Sequence, residues 1–64
     1  MRYLLKTKLL PDSKECDCAR FQKIGDAYFF MQNLIENPNI DIHQCSIYKI
    51  YKRKILIVTR KKNT

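Results

Sequence analysis

The sequence contains no tryptophan, one glycine, two prolines and a single histidine, His43, among its 64 residues. A lone histidine limits the catalytic arrangements open to the chain, and neither a serine nor a carboxylate forms a recognisable motif with it. The acidic residues fall in predicted loops or at helix ends: Asp12, Glu15, Asp17, Asp26, Glu36 and Asp41. We therefore expect a protein that is not an enzyme, with no catalytic residue and no cofactor.

Long apolar runs are also absent, since no stretch approaches the roughly 18 residues that a membrane span requires. Near the N-terminus, Lys6 interrupts the apolar residues before they reach the about 7–15 that a signal peptide needs. The three cysteines are an odd number, and Cys16 and Cys18 are only two positions apart. This usage suits a reducing compartment better than a disulfide framework. The sequence thus predicts a cytoplasmic protein that does not enter a membrane.

The length of the chain predicts one domain over residues 1–64. A chain of this size buries only about 60% of the surface that its unfolded form exposes, so its core is marginal. Apolar residues nevertheless make up 45% of the sequence, with four tyrosines and three phenylalanines. That composition is typical of a folded protein and not of a disordered tail.

The net charge of +7 is unevenly distributed. Residues 1–41 hold six basic and six acidic residues and are neutral as a whole. Residues 42–64 contain no Asp or Glu, so the whole excess of positive charge lies in the last third. This asymmetry favours an anionic partner for the C-terminal part of the chain.

The first predicted element is a strand over residues 2–10. Its alternation places Lys6 and Lys8 on one face, opposite an apolar face formed by Tyr3, Leu5, Thr7 and Leu9. Pro11 ends the strand. Residues 11–25 are polar, and we expect them to form an irregular loop that contains Cys16 and Cys18.

A helix is predicted over residues 26–37. Asp26 is a suitable N-cap after Gly25, and the apolar stripe of the helix is Ala27, Phe30, Met31 and Leu34. The helix ends at Asn37, because the residue before a proline avoids the α conformation.

A β-hairpin is predicted over residues 40–61, since Ile, Val, Tyr and Thr flank the basic triplet Lys52-Arg53-Lys54. Residues 61–64 form a basic, frayed tail in this interpretation. The fold class is therefore α+β: a small β-α-β-β domain with an antiparallel three-stranded sheet and one helix packed on one face.

One face of this sheet is left without cover. With either a two-residue or a three-residue turn, both faces of the hairpin stay apolar, and a single helix covers only one of them. We expect the second face to meet another copy of the chain in a homodimer, the 11–25 segment folded back, or a partner. The predicted interface residues are Ile47, Tyr48, Leu56 and Val58.

A zinc site is one alternative for the cysteines. Cys16, Cys18, His43 and Cys45 are four residues of the type that zinc prefers, but their spacing matches no standard pattern. In the simpler interpretation Cys45 is a small buried hydrophobe and His43 a surface residue. We predict no metal site.

The C-terminal hairpin combines basic and aromatic residues in the manner of a nucleic-acid surface. The predicted binding residues are Lys49, Tyr51, Lys52, Arg53, Lys54, Arg60, Lys61 and Lys62. Lysines also protect edge strands from aggregation, and basic tails keep small proteins soluble. The alternative is an acidic protein partner, because the size and composition are typical of small inhibitors and accessory proteins of phages and mobile elements. We favour a small basic binding module for nucleic acid.

Overall fold

The computed structural model describes residues 2–62 as one sheet with a single helix on one side. The elements in chain order are β1 (Arg2–Lys8), β2 (Cys16–Phe21), α1 (Ile24–Glu36), β3 (Gln44–Tyr51) and β4 (Arg53–Lys61). All neighbouring strands are antiparallel, in the order β2-β1-β3-β4. The α+β class is confirmed, but the prediction of three strands is wrong because β2 adds a fourth.

The fourth strand lies inside the segment that was expected to be an irregular loop. β2 pairs with β1, and Cys18 is an extra residue between the pairs Asp17–Lys6 and Ala19–Leu5. Such a bulge interrupts the alternation of side chains, and an edge strand exposes most of its residues. Both effects removed the period-2 apolar pattern by which a strand is found in a sequence.

The first strand is shorter than its predicted range of 2–10. The chain turns after Lys8, where the Ser13 N–H donates to the Leu10 carbonyl oxygen at 3.1 Å. The Ser13 hydroxyl also accepts a 3.0 Å hydrogen bond from the Leu10 N–H. Leu9 and Leu10 are consequently exposed in the turn and do not extend the apolar face of β1.

The helix begins two residues before its predicted start at Asp26 and ends one residue before Asn37. Its N-cap is Lys23, which makes no side-chain capping bond, while Asp26 lies in the first turn. An acidic side chain there still interacts favourably with the helix dipole. Ile24 packs against the core, so the helix begins where apolar burial begins.

The core lies between α1 and the central strands. Its buried residues are Leu5, Ala27, Met31, Ile42, Cys45 and Ile47. The helix packs on β3, β1 and β2, and Leu5 pairs directly with Ile47 across the two central strands. The side of the sheet beneath the helix is therefore its buried side.

The predicted hairpin is present, with strands that begin at Gln44 rather than at residue 40. Its turn centres on Lys52, whose φ of 61° lies in the left-handed region that favours glycine. Near the turn Tyr51 pairs with Arg53 across the single residue Lys52, and Tyr48 and Leu56 share a face, as expected for a three-residue turn. Beyond a bulge at Ile57 the residues share faces as expected for a two-residue turn, so both patterns considered from the sequence occur in the same hairpin.

The C-terminal residues are held more firmly than the predicted frayed tail. Lys61 belongs to β4, and the Lys62 N–H donates to the His43 carbonyl oxygen at 2.9 Å. The Lys62 ammonium donates to the carbonyl oxygens of Asn37, at 2.6 Å, and Ile40. Residues 63 and 64 of the predicted tail lie outside the described residues. The only helix described, α1, is too short and too polar to cross a bilayer.

Candidate functional site

The face of the sheet opposite α1, here called the open face, carries most of the described strand cations. Side chains alternate along each strand, so the neighbours of the buried Leu5 and Ile47 point away from the helix. The register then places six basic side chains on this face: Arg2, Lys6, Lys8, Arg20, Lys54 and Lys61. Three of the four strands, β1, β2 and β4, contribute to this set.

Apolar residues occupy the middle of the open face. One row across β1, β3 and β4 consists of Leu4, Tyr48 and Leu56. Ile50, two positions after Tyr48 on β3, is the next residue of that strand on the open face. Leu4 is only 1% exposed, Tyr48 is half-buried and Leu56 is 54% exposed. The row therefore changes from buried to accessible toward the β4 edge, and basic residues surround it.

Tyr48 is the centre of a polar network on this face. Its hydroxyl donates a 2.7 Å hydrogen bond to Glu15 Oε1, and the Lys6 ammonium lies 5.8 Å from the centroid of its ring. Lys6 also forms a 3.6 Å ion pair with Asp17. The hydrogen bond to Glu15, together with burial, raises the pKa of Tyr48 to about 12. The neutral phenol is consequently the form that the fold stabilises.

A second polar contact joins the two strands of the hairpin. The hydroxyl groups of Ser46 and Thr59, which face each other on β3 and β4, are 2.9 Å apart. Ser46 is buried, and this bond satisfies its hydroxyl. The open face is thereby stiffened next to the Tyr48 row.

A shallow pocket of about 180 Å³ lies at one corner of the sheet. It is lined by Arg2, Arg20, Phe21 and Gln22. Both arginines are exposed and belong to the open face, on the adjacent strands β1 and β2. Guanidinium groups bind the oxygens of phosphate through paired N–H donors, so the corner has the chemistry of a phosphate site.

The binding residues predicted from the sequence do not share one surface. Lys54 and Lys61 lie on the open face, while the helix side of the hairpin carries Lys49, Tyr51, Arg53 and Arg60. Lys52 is at the tip, with its ammonium 5.8 Å from the centroid of the Tyr51 ring. Consecutive residues of a strand alternate between faces, so a cluster of charge in the sequence is divided by the sheet.

Lys62 was predicted to bind a partner, whereas in the structure its ammonium has contacts within the chain. Its ammonium is occupied by the carbonyl oxygens of Asn37 and Ile40, at the end of α1 and in the connection to β3. Unpaired carbonyls and the negative end of the helix dipole attract a cation at this position. Lys62 therefore has a structural contact in place of a free charge.

Two of the predicted interface residues are likewise corrected. Ile47 is 0% exposed beneath the helix, and Val58 is half-buried against the same core. Their helix-side position follows from the pairing of β3 with both β1 and β4. Of the predicted interface residues, Tyr48 and Leu56 do lie on the uncovered face.

The cations that β1 and β2 contribute were missed as binding residues. The alternation of β1 already placed Lys6 and Lys8 opposite the apolar face, which was the available signal. Arg20 gave no such signal, because it lay in the segment interpreted as a loop. The pairing of β2 with β1 brings Arg20 next to Leu4 on the open face.

The residues considered for zinc do not converge. Within residues 2–62, no group of three or more His, Cys, Asp or Glu side chains is arranged to hold a metal ion. Cys45 is buried in the core, whereas Cys16 and Cys18 are exposed on β2. Burial, with smaller contributions from Cys18 and Glu15, raises the pKa of the Cys45 thiol to about 12. Cys45 thus acts as a protonated apolar side chain.

Comparisons of the chain with protein-family models, with curated proteins and with solved structures gave no match. The function is accordingly inferred from the chemistry of the chain's own residues. Its strongest features are the cations of the open face, the arginine-lined corner and the central row around Tyr48.

Proposed function

We propose that this protein is a small binding module that holds single-stranded nucleic acid on the open face of its sheet. The observation that supports this most strongly is the set of six basic side chains that three strands place on one face. Two carboxylates lie on this face: Asp17 is paired with Lys6, and Glu15 accepts the hydrogen bond of Tyr48. The remaining cations are available to neutralise phosphates.

The dimensions of a sheet suit such a ligand. Neighbouring strands lie about 4.8 Å apart, and alternate residues on one strand are about 6.7 Å apart. Cations at these spacings can contact successive phosphates of a nucleic-acid strand that crosses the β-strands. Contacts to phosphates set the position of the ligand without reading its sequence, so binding through these cations does not depend on the base sequence.

The pocket at the corner supplies a more directed phosphate contact. Arg2 and Arg20 both line it, and each guanidinium presents a planar fork of N–H donors. Paired donors of this kind hold a phosphate in a defined orientation. The pocket thus gives one end of the bound strand a fixed place on the sheet.

The central row favours unpaired bases over a duplex. Tyr48 and Leu56 are accessible in part on the same face, and bases stack on aromatic and apolar side chains when they are not paired. The hydrogen bond to Glu15 and the Lys6 ammonium hold the Tyr48 ring in place. A ring that is already ordered loses less entropy when a base stacks on it.

The proposal is tested by measuring the fluorescence anisotropy of a labelled mixed-sequence single-stranded DNA at several salt concentrations. The variant Lys8→Ala/Arg20→Ala removes two open-face cations, and the matched control Lys23→Ala/Lys49→Ala removes two cations from elsewhere. Loss of two phosphate contacts should reduce the slope of log K against log salt by about 1.4 in the first variant. The control should keep the slope of the natural protein.

Equal loss of affinity in both variants would show attraction by net charge alone and would overturn the open-face site. Absence of binding by the natural protein at low salt would overturn nucleic acid as the ligand. Tighter binding of a duplex than of a single strand would contradict the role given to the Tyr48 row.

A further inference from the structure

The β4 strand forms a long free edge of the sheet. It spans nine residues, Arg53–Lys61, and all of them except Val58 are exposed. Within the described residues no strand lies beyond it, so alternate N–H and C=O groups point away from β3 without a partner strand. Proteins usually blunt such an edge, because it is a template for pairing with another chain.

The side chains of this edge follow a basic–apolar–basic order. Arg53 and Lys54 occupy one end, and Arg60 and Lys61 the other. Between them, Ile55, Leu56 and Ile57 are 42%, 54% and 38% exposed. Three adjacent exposed aliphatic residues on an edge form an apolar patch that is unusual on a protein surface.

The apolar centre is accessible from both sides of the sheet. Leu56 lies on the open face, whereas Ile55 lies on the helix side. The helix packs on β3, β1 and β2, so it leaves the outer part of β4 uncovered. A strand added at this edge would find apolar contacts on both of its own faces.

We propose that the β4 edge binds an extended peptide strand of another protein, with acidic residues at both ends and apolar residues in the middle. Main-chain hydrogen bonds to the edge would supply affinity, and the side chains on either face would supply specificity. Acidic residues at the ends of such a peptide meet the two basic ends of β4 whichever way the peptide runs.

The same charge order argues against a second copy of the chain as the occupant. Two β4 strands place basic residues opposite basic residues in the antiparallel and in the parallel arrangement, because both ends carry positive charge. Like charges directly opposite each other destabilise a pair of strands. The bulge at Ile57 is a second obstacle, since a rigid copy would have to match it twice.

This inference can be tested separately from the proposed nucleic-acid site, although Lys54, Leu56 and Lys61 belong to both surfaces. Arg53, Ile55 and Arg60 lie on the helix side of β4, whereas Lys8 and Arg20 lie on the open face. Variants of the two groups therefore separate the two activities.

The probe is a capped peptide, Glu-Asp-Val-Thr-Val-Thr-Val-Asp-Glu, whose length matches that of β4. Binding is followed by calorimetry and by the amide chemical shifts of the ¹⁵N-labelled full chain. The control peptide has the same composition with its acidic residues in the middle, and a second control carries N-methyl groups on residues of both main-chain edges. The acid-ended peptide should bind about tenfold more tightly than the acid-centred one. Because neither edge of the methylated peptide can pair with β4, its binding should be weakened to the same extent or more.

The full-length variant Arg53→Glu/Arg60→Glu leaves one acidic and one basic residue at each end of β4, so it should abolish the preference for acidic ends, and the acid-ended and acid-centred peptides should bind about equally. The matched variant Lys8→Glu/Arg20→Glu should leave the preference for acidic ends unchanged. Equal binding of the acid-ended and acid-centred peptides to the natural protein would overturn the proposal, as would shifts confined to Lys6, Lys8 and Arg20. A dimer through β4 at the same concentration, detected by native mass, would also overturn it.

Discussion

The hydroxyl of Tyr48 donates to Glu15, a residue 33 positions earlier in the chain, with an oxygen–oxygen distance of 2.7 Å. The bond joins the segment that leads into β2 to the central strand β3. The second carboxylate oxygen of Glu15 is buried and has no hydrogen-bond partner among the described residues. The Tyr48–Glu15 hydrogen bond thus helps to hold β2 in the sheet, and the Tyr48 hydroxyl is its donor.

Replacement of Tyr48 by phenylalanine should destabilise the fold. Tyr48→Phe removes the donor and leaves the Glu15 carboxylate without this hydrogen bond, at a cost of about 1–3 kcal/mol. Urea unfolding followed by circular dichroism measures the loss. Tyr51→Phe is the matched control, because Tyr51 is exposed, and it should change the free energy of unfolding by less than about 0.5 kcal/mol. Equal effects of the two changes would contradict the role of the bond.

Stability should fall at alkaline pH. The pKa values of Cys45 and Tyr48 are both raised to about 12 in the fold, from 9.0 and 10.0. Both groups remain protonated in the folded chain while they ionise in the unfolded chain, so the unfolded state is increasingly favoured as pH rises. Their stabilising contribution is complete below pH 9 and disappears as pH approaches 12.

The two groups can be separated by substitution and chemical denaturation across this range. In Cys45→Ala, the part of the loss that begins near pH 9 should be missing. In Tyr48→Phe, the part that begins near pH 10 should be missing. A pH dependence identical to that of the natural protein in both variants would show that neither group is responsible.

Removal of the Lys62 ammonium should loosen the end of α1. Lys62→Met keeps an apolar stem of similar length but leaves the carbonyl oxygens of Asn37 and Ile40 without this cation. The expected cost is about 1–2 kcal/mol, with faster hydrogen exchange in the last turn of the helix. Lys61→Met, at the exposed neighbouring position, should leave both quantities unchanged. Unaltered exchange in Lys62→Met would show that water replaces the ammonium at no cost.

Part of the fold could be predicted from the sequence, because local periodicity is a property of neighbouring residues. The stripe that includes Ala27 and Met31 predicted the helix, and both residues are buried in the core. The β-branched residues around Lys52 predicted the hairpin. The edge strand β2 could not be found in this way, since its bulge at Cys18 removes the alternation of side chains. Its extended conformation is stabilised by pairing with β1, which is distant information that local periodicity does not contain.

The candidate site was predicted in outline only. Positive charge near residues 49–62 correctly indicated a basic hairpin, but consecutive residues of a strand point to opposite faces. Lys54 and Arg53 are adjacent in the chain and lie on different sides of the sheet. Lys6 and Arg20 lie far from the hairpin in the chain, yet the sheet places them on the same face as Lys54.

The sequence by itself determined the helix, the hairpin, the α+β class and the total charge, because these depend on residue type and on spacing within one segment. Tertiary structure alone decided which cations share a surface, that Ile47 is covered, and that Lys62 is engaged. It also decided that β4 is left as a free edge. Those outcomes depend on strand order and register, which are set by contacts between distant segments and by the two bulges that shift the pairing.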